Sequence, residues 1–183
     1  MPTTSASTMT VTERVRAQHR TIRRLFDQVE AATAERSRSW KELVRLLSVH
    51  ETAEEIVLYP AVAATGRDGV RAVRARQAEE RRAKIRLADL EGLQLGSRQF
   101  ETGLAEFRAQ VEAHADAEEL EILPVLELRQ AGGQLWLMDR CFVLAQLVAP
   151  THAHRFAPVG AVGNLAVGPV VGLVDRVRDL AAS

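Results

Sequence analysis

Apolar positions recur at helical spacing over four long stretches of the chain, and each apolar stripe is broken by a side chain that burial should exclude. Val15, His19, Ile22, Phe26 and Val29 share one face, with Arg16, Arg20, Arg23, Arg24 and Asp27 off it, and Thr10 with Glu13 forms a capping box ahead of them. After a polar break at Ser37 to Ser39, a second stripe runs Leu43, Leu47, His50, Glu54, Leu58 and Ala61 and stops near Gly66 and Gly69. The third reads Val70, Val73, Gln77, Glu80, Lys84, Leu87 and Leu90, up to the break at Gly92 to Gly96. The fourth follows Ser97 with Phe100, Leu104, Phe107, Val111, His114, Glu118, Ile122 and Val125, and ends at Gly132-Gly133. Short loops make consecutive helices antiparallel neighbours, so the pattern predicts an all-α, antiparallel up-down-up-down four-helix bundle over 10–130.

Residues Met1 to Met9 are mostly Ser, Thr and Ala without apolar period and read as a disordered leader over 1–9. Residues 131–183 are expected to pack on the bundle. They begin with a short fifth helix, Gln134 to Val148, apolar on most faces and interrupted by Asp139 and Arg140, and continue as a Gly/Pro-rich C-terminal extension. Phe156 to Val174 carries no charge, but its glycines and prolines argue against a membrane helix, and it reads as an apolar strap over the bundle.

Two of the stripes are copies of one another. His50-Glu51-Thr52-Ala53-Glu54-Glu55 through Tyr59-Pro60 recurs as His114-Ala115-Asp116-Ala117-Glu118-Glu119 through Leu123-Pro124, with the His, Ala, both Glu and the Pro in register. The odd-numbered helices join the repeat when His19-Arg20 through Val29-Glu30 is aligned with Glu80-Arg81 through Leu90-Glu91, which sets Glu80 where the first half has His19. In each copy His and Glu stand at i and i+4, roughly 6 Å apart on one helix face.

An ionised group on a buried stripe costs several kcal/mol unless it is paired or coordinated. Six such groups, His19, His50, Glu54, Glu80, His114 and Glu118, fall at the mid-depth of four antiparallel helices, and a shared metal site is the economical sink for their charge. Imidazole with carboxylate and no thiolate suits iron, manganese or zinc. Two divalent ions against three carboxylates leave roughly one positive charge, which one bridging oxo or hydroxo group would offset. The expected division has His19 and His50 capping one ion, Glu80 and His114 the other, and Glu54 and Glu118 bridging.

The pattern resembles the hemerythrin-like (HHE cation-binding) domain family, H…HxxxE…H…HxxxE. The resemblance is carried by Gln18-His19-Arg20, by His50 to Glu55 with Leu58-Tyr59-Pro60, and by His114 to Glu119 with Leu123-Pro124, and covers Val11 to Leu128. The tail from Pro150 to Asp179 is similar to extensions on actinobacterial members. The resemblance implies a cofactor of two iron ions (Fe2+/Fe3+) and a small diatomic or peroxide ligand, with O2, peroxide or nitric oxide bound or reduced. Catalase- or peroxidase-like activity and iron or oxygen sensing without turnover both remain open. Glu80 departs from the family, which usually has His there; its extra negative charge should stabilise ferric iron and disfavour reversible O2 carriage.

The remaining composition narrows the partners. Lys plus Arg and Asp plus Glu each number 24 in 183 residues, so no net field draws in nucleic acid or an anionic membrane. One cysteine, Cys141, excludes an internal disulfide, and no signal segment opens the chain, so the expected location is cytoplasmic. Cys141 itself reads as a small packed hydrophobe. A protein partner or a homodimer could meet the C-terminal tail. Glu51 is either a further ligand, as a similarly placed Glu appears in the family's iron-sensing ubiquitin-ligase relative, or part of a solvated face. Glu55 and Glu119 are either acceptors for a His ring N–H or surface charges. Tyr59 either gates the site or packs with its hydroxyl near the surface. The His152-Ala153-His154 triplet reads as a plain turn, and Arg71, Arg74, Arg76, Arg81 and Arg82 read as a solvated face.

Overall fold

The computed structural model describes residues 9–151, whose regular elements are all helices, with no strand among them. The order is α1 (Val11–Glu30), α2 (Arg36–Ala53), a π-helical turn (Glu54–Leu58), α3 (Tyr59–Ala63), α4 (Arg67–Glu91), α5 (Arg98–Glu121), α6 (Leu123–Arg129) and α7 (Gly132–Val148). The π turn joins α2 and α3 into one rod, and α5 runs on into α6, so the bundle has four long members with α7 as a fifth helix. Residues of the expected leader other than Met9, the His152-Ala153-His154 triplet and the apolar strap lie outside the described residues.

Local chemistry sets the helix ends. The Thr10 side chain caps α1 while Glu13 returns to the Thr10 backbone, the reciprocal box expected there. Ser97 caps α5 through the Phe100 N–H. Gly69 lets the first turn of α4 close on α3: a Cβ there would sit 2.1 Å from the Val62 carbonyl oxygen.

Pro60 and Pro124 each remove a backbone donor from the middle of a rod, and the two copies answer differently. In the second, the helix breaks at Ile122. In the first it widens instead, with the Tyr59 N–H reaching back to the Glu54 carbonyl, five residues away. One extra residue in the turn rotates everything beyond it by about 100° relative to an unbroken helix. Tyr59 therefore faces inward.

The core is in two parts. Phe26, Leu43, Leu47, Leu90, Phe100 and Phe107 fill one end of the bundle. Val15, Leu58, Val62, Ile122, Leu123 and Phe142 fill the other. His19, His50, Glu54, Glu80 and Glu118 form a buried polar layer between them.

Three readings of the sequence change here. Gly132 and Gly133 open α7 rather than end the fourth helix, which finishes at Arg129. Asp139 and Arg140 do not interrupt α7, because buried Asp139 accepts from Arg14 Nε and, at 2.9 Å, from Arg14 Nη2, pinning α7 to α1. Cys141 is exposed on α7 rather than buried as a small hydrophobe.

Candidate metal centre

All six residues singled out by the repeat converge at mid-bundle. They form two four-residue sets, His19, His50, Glu54 and Glu118, and Glu54, Glu80, His114 and Glu118, each offering donor atoms within 4.8 Å of one another. The sets share Glu54 and Glu118. The His50 Nε2 lies 3.1 Å from Glu54 Oε1, His19 Nε2 lies 3.4 Å from Glu118 Oε2, and His114 Nε2 lies 3.5 Å from Glu118 Oε1.

Each imidazole is turned the same way, with Nδ1 spent on an acceptor outside the cluster. His19 Nδ1 meets Glu119 at 2.8 Å, His50 Nδ1 meets the Gln18 carbonyl oxygen at 2.7 Å, and His114 Nδ1 meets Glu79 at 3.0 Å. An acceptor there fixes the proton on Nδ1 and leaves the Nε2 lone pair facing inward. The inward atoms face one another without hydrogen bonds: all three Nε2, both Glu54 oxygens, Glu80 Oε2 and Glu118 Oε2 are buried with no hydrogen-bond partner. Buried polar atoms are otherwise almost always satisfied. Three imidazole nitrogens and four carboxylate oxygens, concentrated in one layer, are the donor set of a cation site, and the residues present fit one or two divalent ions.

The charges of the metal-free cluster conflict in the way such a site requires. Burial, then the Glu118 charge, pushes the Glu54 carboxyl well above its ordinary range. Burial, then Glu55, does the same to Glu80. Burial and the neighbouring His19 push His50 down to about 3, so it stays neutral. Burial would raise Glu118 too, but the imidazoles of His114 and His19 outweigh it and hold that carboxyl well below the usual range.

Tyr59 belongs to this cluster. It is 1% exposed, and its hydroxyl lies 2.5 Å from Glu80 Oε1 and 2.7 Å from Glu118 Oε1. A single phenolic proton serves one of these oxygens at a time. The reading that left this hydroxyl near the surface is corrected, and the cause is the π turn.

Glu119 takes the first of its two expected roles, as acceptor for an imidazole N–H, whereas Glu55 is no surface charge: it is buried and takes a 2.7 Å bond from Lys84. Glu51 is buried, against the solvated-face alternative, and burial lifts its carboxyl to about 7; it stands in neither four-residue set. Arg76 departs from its solvated run, being buried with a 2.8 Å bond to Glu79. The sequence does not mark Gln18 or Glu79 as an imidazole acceptor; each serves a ring on another helix, a pairing that helix packing decides. A cavity of about 20 Å³, room for roughly one water molecule, abuts His19, His50, His114 and Glu80 and is walled by Ile22, Leu47, Ala83 and Val111.

The model of the hemerythrin HHE cation binding domain matches residues 10–126. An uncharacterized hemerythrin-like protein of Schizosaccharomyces pombe is 24% identical over 165 residues, which is 88% of this chain and 81% of that protein. The crystal structure of a hemerythrin HHE cation binding domain-containing protein from Mycobacterium kansasii superposes with a TM-score of 0.66 at 23% identity, covering 75% of this chain and 85% of that one, a likeness of fold.

Proposed function

The chain belongs to the hemerythrin HHE cation-binding domain family, and from that premise we propose that it is a non-haem di-iron protein that binds or reduces a small oxidant: O2, peroxide or nitric oxide. The observation that carries this reading is the convergence of seven unpartnered donor atoms into two four-residue sets sharing two carboxylates. His19 and His50 would hold one ion, Glu80 and His114 the other, with Glu54 and Glu118 between them. Iron bound there supplies one-electron redox change and an open position for a diatomic or peroxide ligand.

The chain's own residues orient, enclose and donate. Glu119, Gln18 and Glu79 hold the three rings with Nε2 inward. The small cavity beside the rings has an apolar wall, which suits a small neutral ligand and keeps bulk water away. Tyr59 provides a hydroxyl in contact with both Glu80 and Glu118, so a proton can be held or exchanged at those oxygens. Glu80, standing where the repeat has an imidazole, adds negative charge that favours ferric iron.

A second reading, iron or oxygen sensing without turnover, is favoured by one observation. His50 is joined through Gln18 to Gln146 on α7, a helix beyond the matched domain, so a change at the site has a route to a surface helix. Metal analysis with an optical spectrum of freshly purified protein tests the common premise: close to two ions per chain is expected, with near-ultraviolet absorption from a bridged ferric pair. Absence of stoichiometric transition metal after several loading conditions would refute it. Catalytic consumption of peroxide then separates an enzyme from a sensor, which shows metal-linked stability alone.

A further inference from the structure

The three imidazoles are served unequally. Carboxylates accept from His19 and His114, whereas His50 is served by a neutral amide, Gln18, whose environment is provided by α7. Gln146 lies beside Gln18 in a doubly bonded amide pair: its N–H donates to Gln18 Oε1 at 3.0 Å, and its carbonyl takes the Gln18 N–H at 3.2 Å. Phe142, one turn earlier on α7, sets its ring edge-on to His50 at 6.2 Å. The Arg14 and Asp139 pair holds the same helix to α1. All three α7 contacts come from residues outside 10–126.

We propose that Gln146 is a positioning residue for the metal centre: through Gln18 it holds His50 in the Nδ1–H form with Nε2 free for the ion. The physical basis is the two-faced character of an amide. Gln18 can present either its oxygen or its NH2 to His50. With NH2 presented, His50 must accept at Nδ1 and carry its proton on Nε2, aimed at the place the cation takes. The Gln146 carbonyl engages the Gln18 NH2 and keeps it from His50. The neutral acceptor has a second consequence: His50 donates less electron density than an imidazole backed by a carboxylate, so an ion held there would be more easily reduced than with a carboxylate in the place of Gln18. The inference rests on the proposed division of ligands between two ions.

The test uses the full chain and ferrous iron. Gln146→Met keeps the side-chain volume and removes both amide bonds, while Gln146→Glu keeps an acceptor for the Gln18 NH2. Two measurements are made: the His50 tautomer by nitrogen-15 NMR of metal-free protein, and anaerobic iron affinity by chelator competition. Gln146→Met is expected to mix the His50 tautomers and weaken one of the two ions about tenfold, the low end for loss of an outer partner. Gln146→Glu is expected to restore both, and Gln18→Glu to lower the reduction potential of that ion.

A Gln146→Met protein with wild-type tautomer and affinity would overturn the proposal, as would failure of Gln146→Glu to restore what Gln146→Met loses. His50→Ala separates the two levels. If it loses one ion while Gln146→Met changes nothing, only the positioning role falls; if it too retains both ions, the division of ligands falls with it.

Discussion

Replacing Glu80 by Gln tests the centre most directly, because the amide keeps shape and an acceptor for Tyr59 but removes the charge. Glu80 is 1% exposed and its Oε2 is unpartnered, so the change acts on the cluster and not on solvent contacts. In the metal-free chain its carboxyl is pushed well above the ordinary range, by burial first and then by Glu55. A raised folded pKa means stability that is complete below the unfolded carboxyl value and is lost as pH rises through the folded one. The metal-free wild type should therefore melt lower at pH 8 than at pH 5, and the Glu80→Gln variant should lose part of that slope. With iron bound the sign reverses, since protons compete with the ion for the same oxygens. If the substitution weakens one ion about 100-fold, the linkage stabilisation falls by about 2.7 kcal/mol, or roughly 5–10 °C for a domain of this size. Thermal melts at both pH values, with iron and with chelator, alongside iron stoichiometry, measure all of this. An unchanged gap between loaded and metal-free melting, with two ions still bound, would show that Glu80 is no part of the centre.

Four further outcomes are expected. Glu80→His should retain both ions and raise the reduction potential in a redox titration, and a potential equal to wild type would count against a ligand role. Tyr59→Phe removes the one hydrogen bond that this hydroxyl shares between two buried carboxylates, so urea denaturation of the metal-free protein should show a loss of about 1–3 kcal/mol; no loss would place the hydroxyl outside the network. Asp139→Asn weakens the bond from α7 to Arg14, which is partly exposed, and should cost roughly 1–2 kcal/mol by the same assay. Truncation after Thr151 addresses the extension expected to pack on the bundle: Leu137, Leu144 and Leu147 on α7 are 57%, 62% and 63% exposed, and without residues 152–183 they should drive self-association in sedimentation. A truncated chain that behaves like the full one would remove the extension as their cover.

The helices, their caps and the buried stripes were legible in the sequence because each depends on residues a few positions apart. Thr10 with Glu13, Ser97 before α5, and the His and Glu at i and i+4 are local statements, and the duplication extended them to Glu80, which no short motif marks. Only the tertiary structure decided what surrounds those six side chains. Gln18 neighbours His19 in the chain yet serves His50, and Glu79 on α4 serves His114 on α5, because the relative rotation of two packed helices chooses the acceptor. The copies also part company where their sequences look most alike: before Pro60 the rod widens by a residue and brings Tyr59 onto Glu80 and Glu118, whereas before Pro124 it breaks and leaves Leu123 in the apolar core. Helical periodicity specifies a face within one element, while contacts across elements depend on register and rotation that packing of the whole bundle sets.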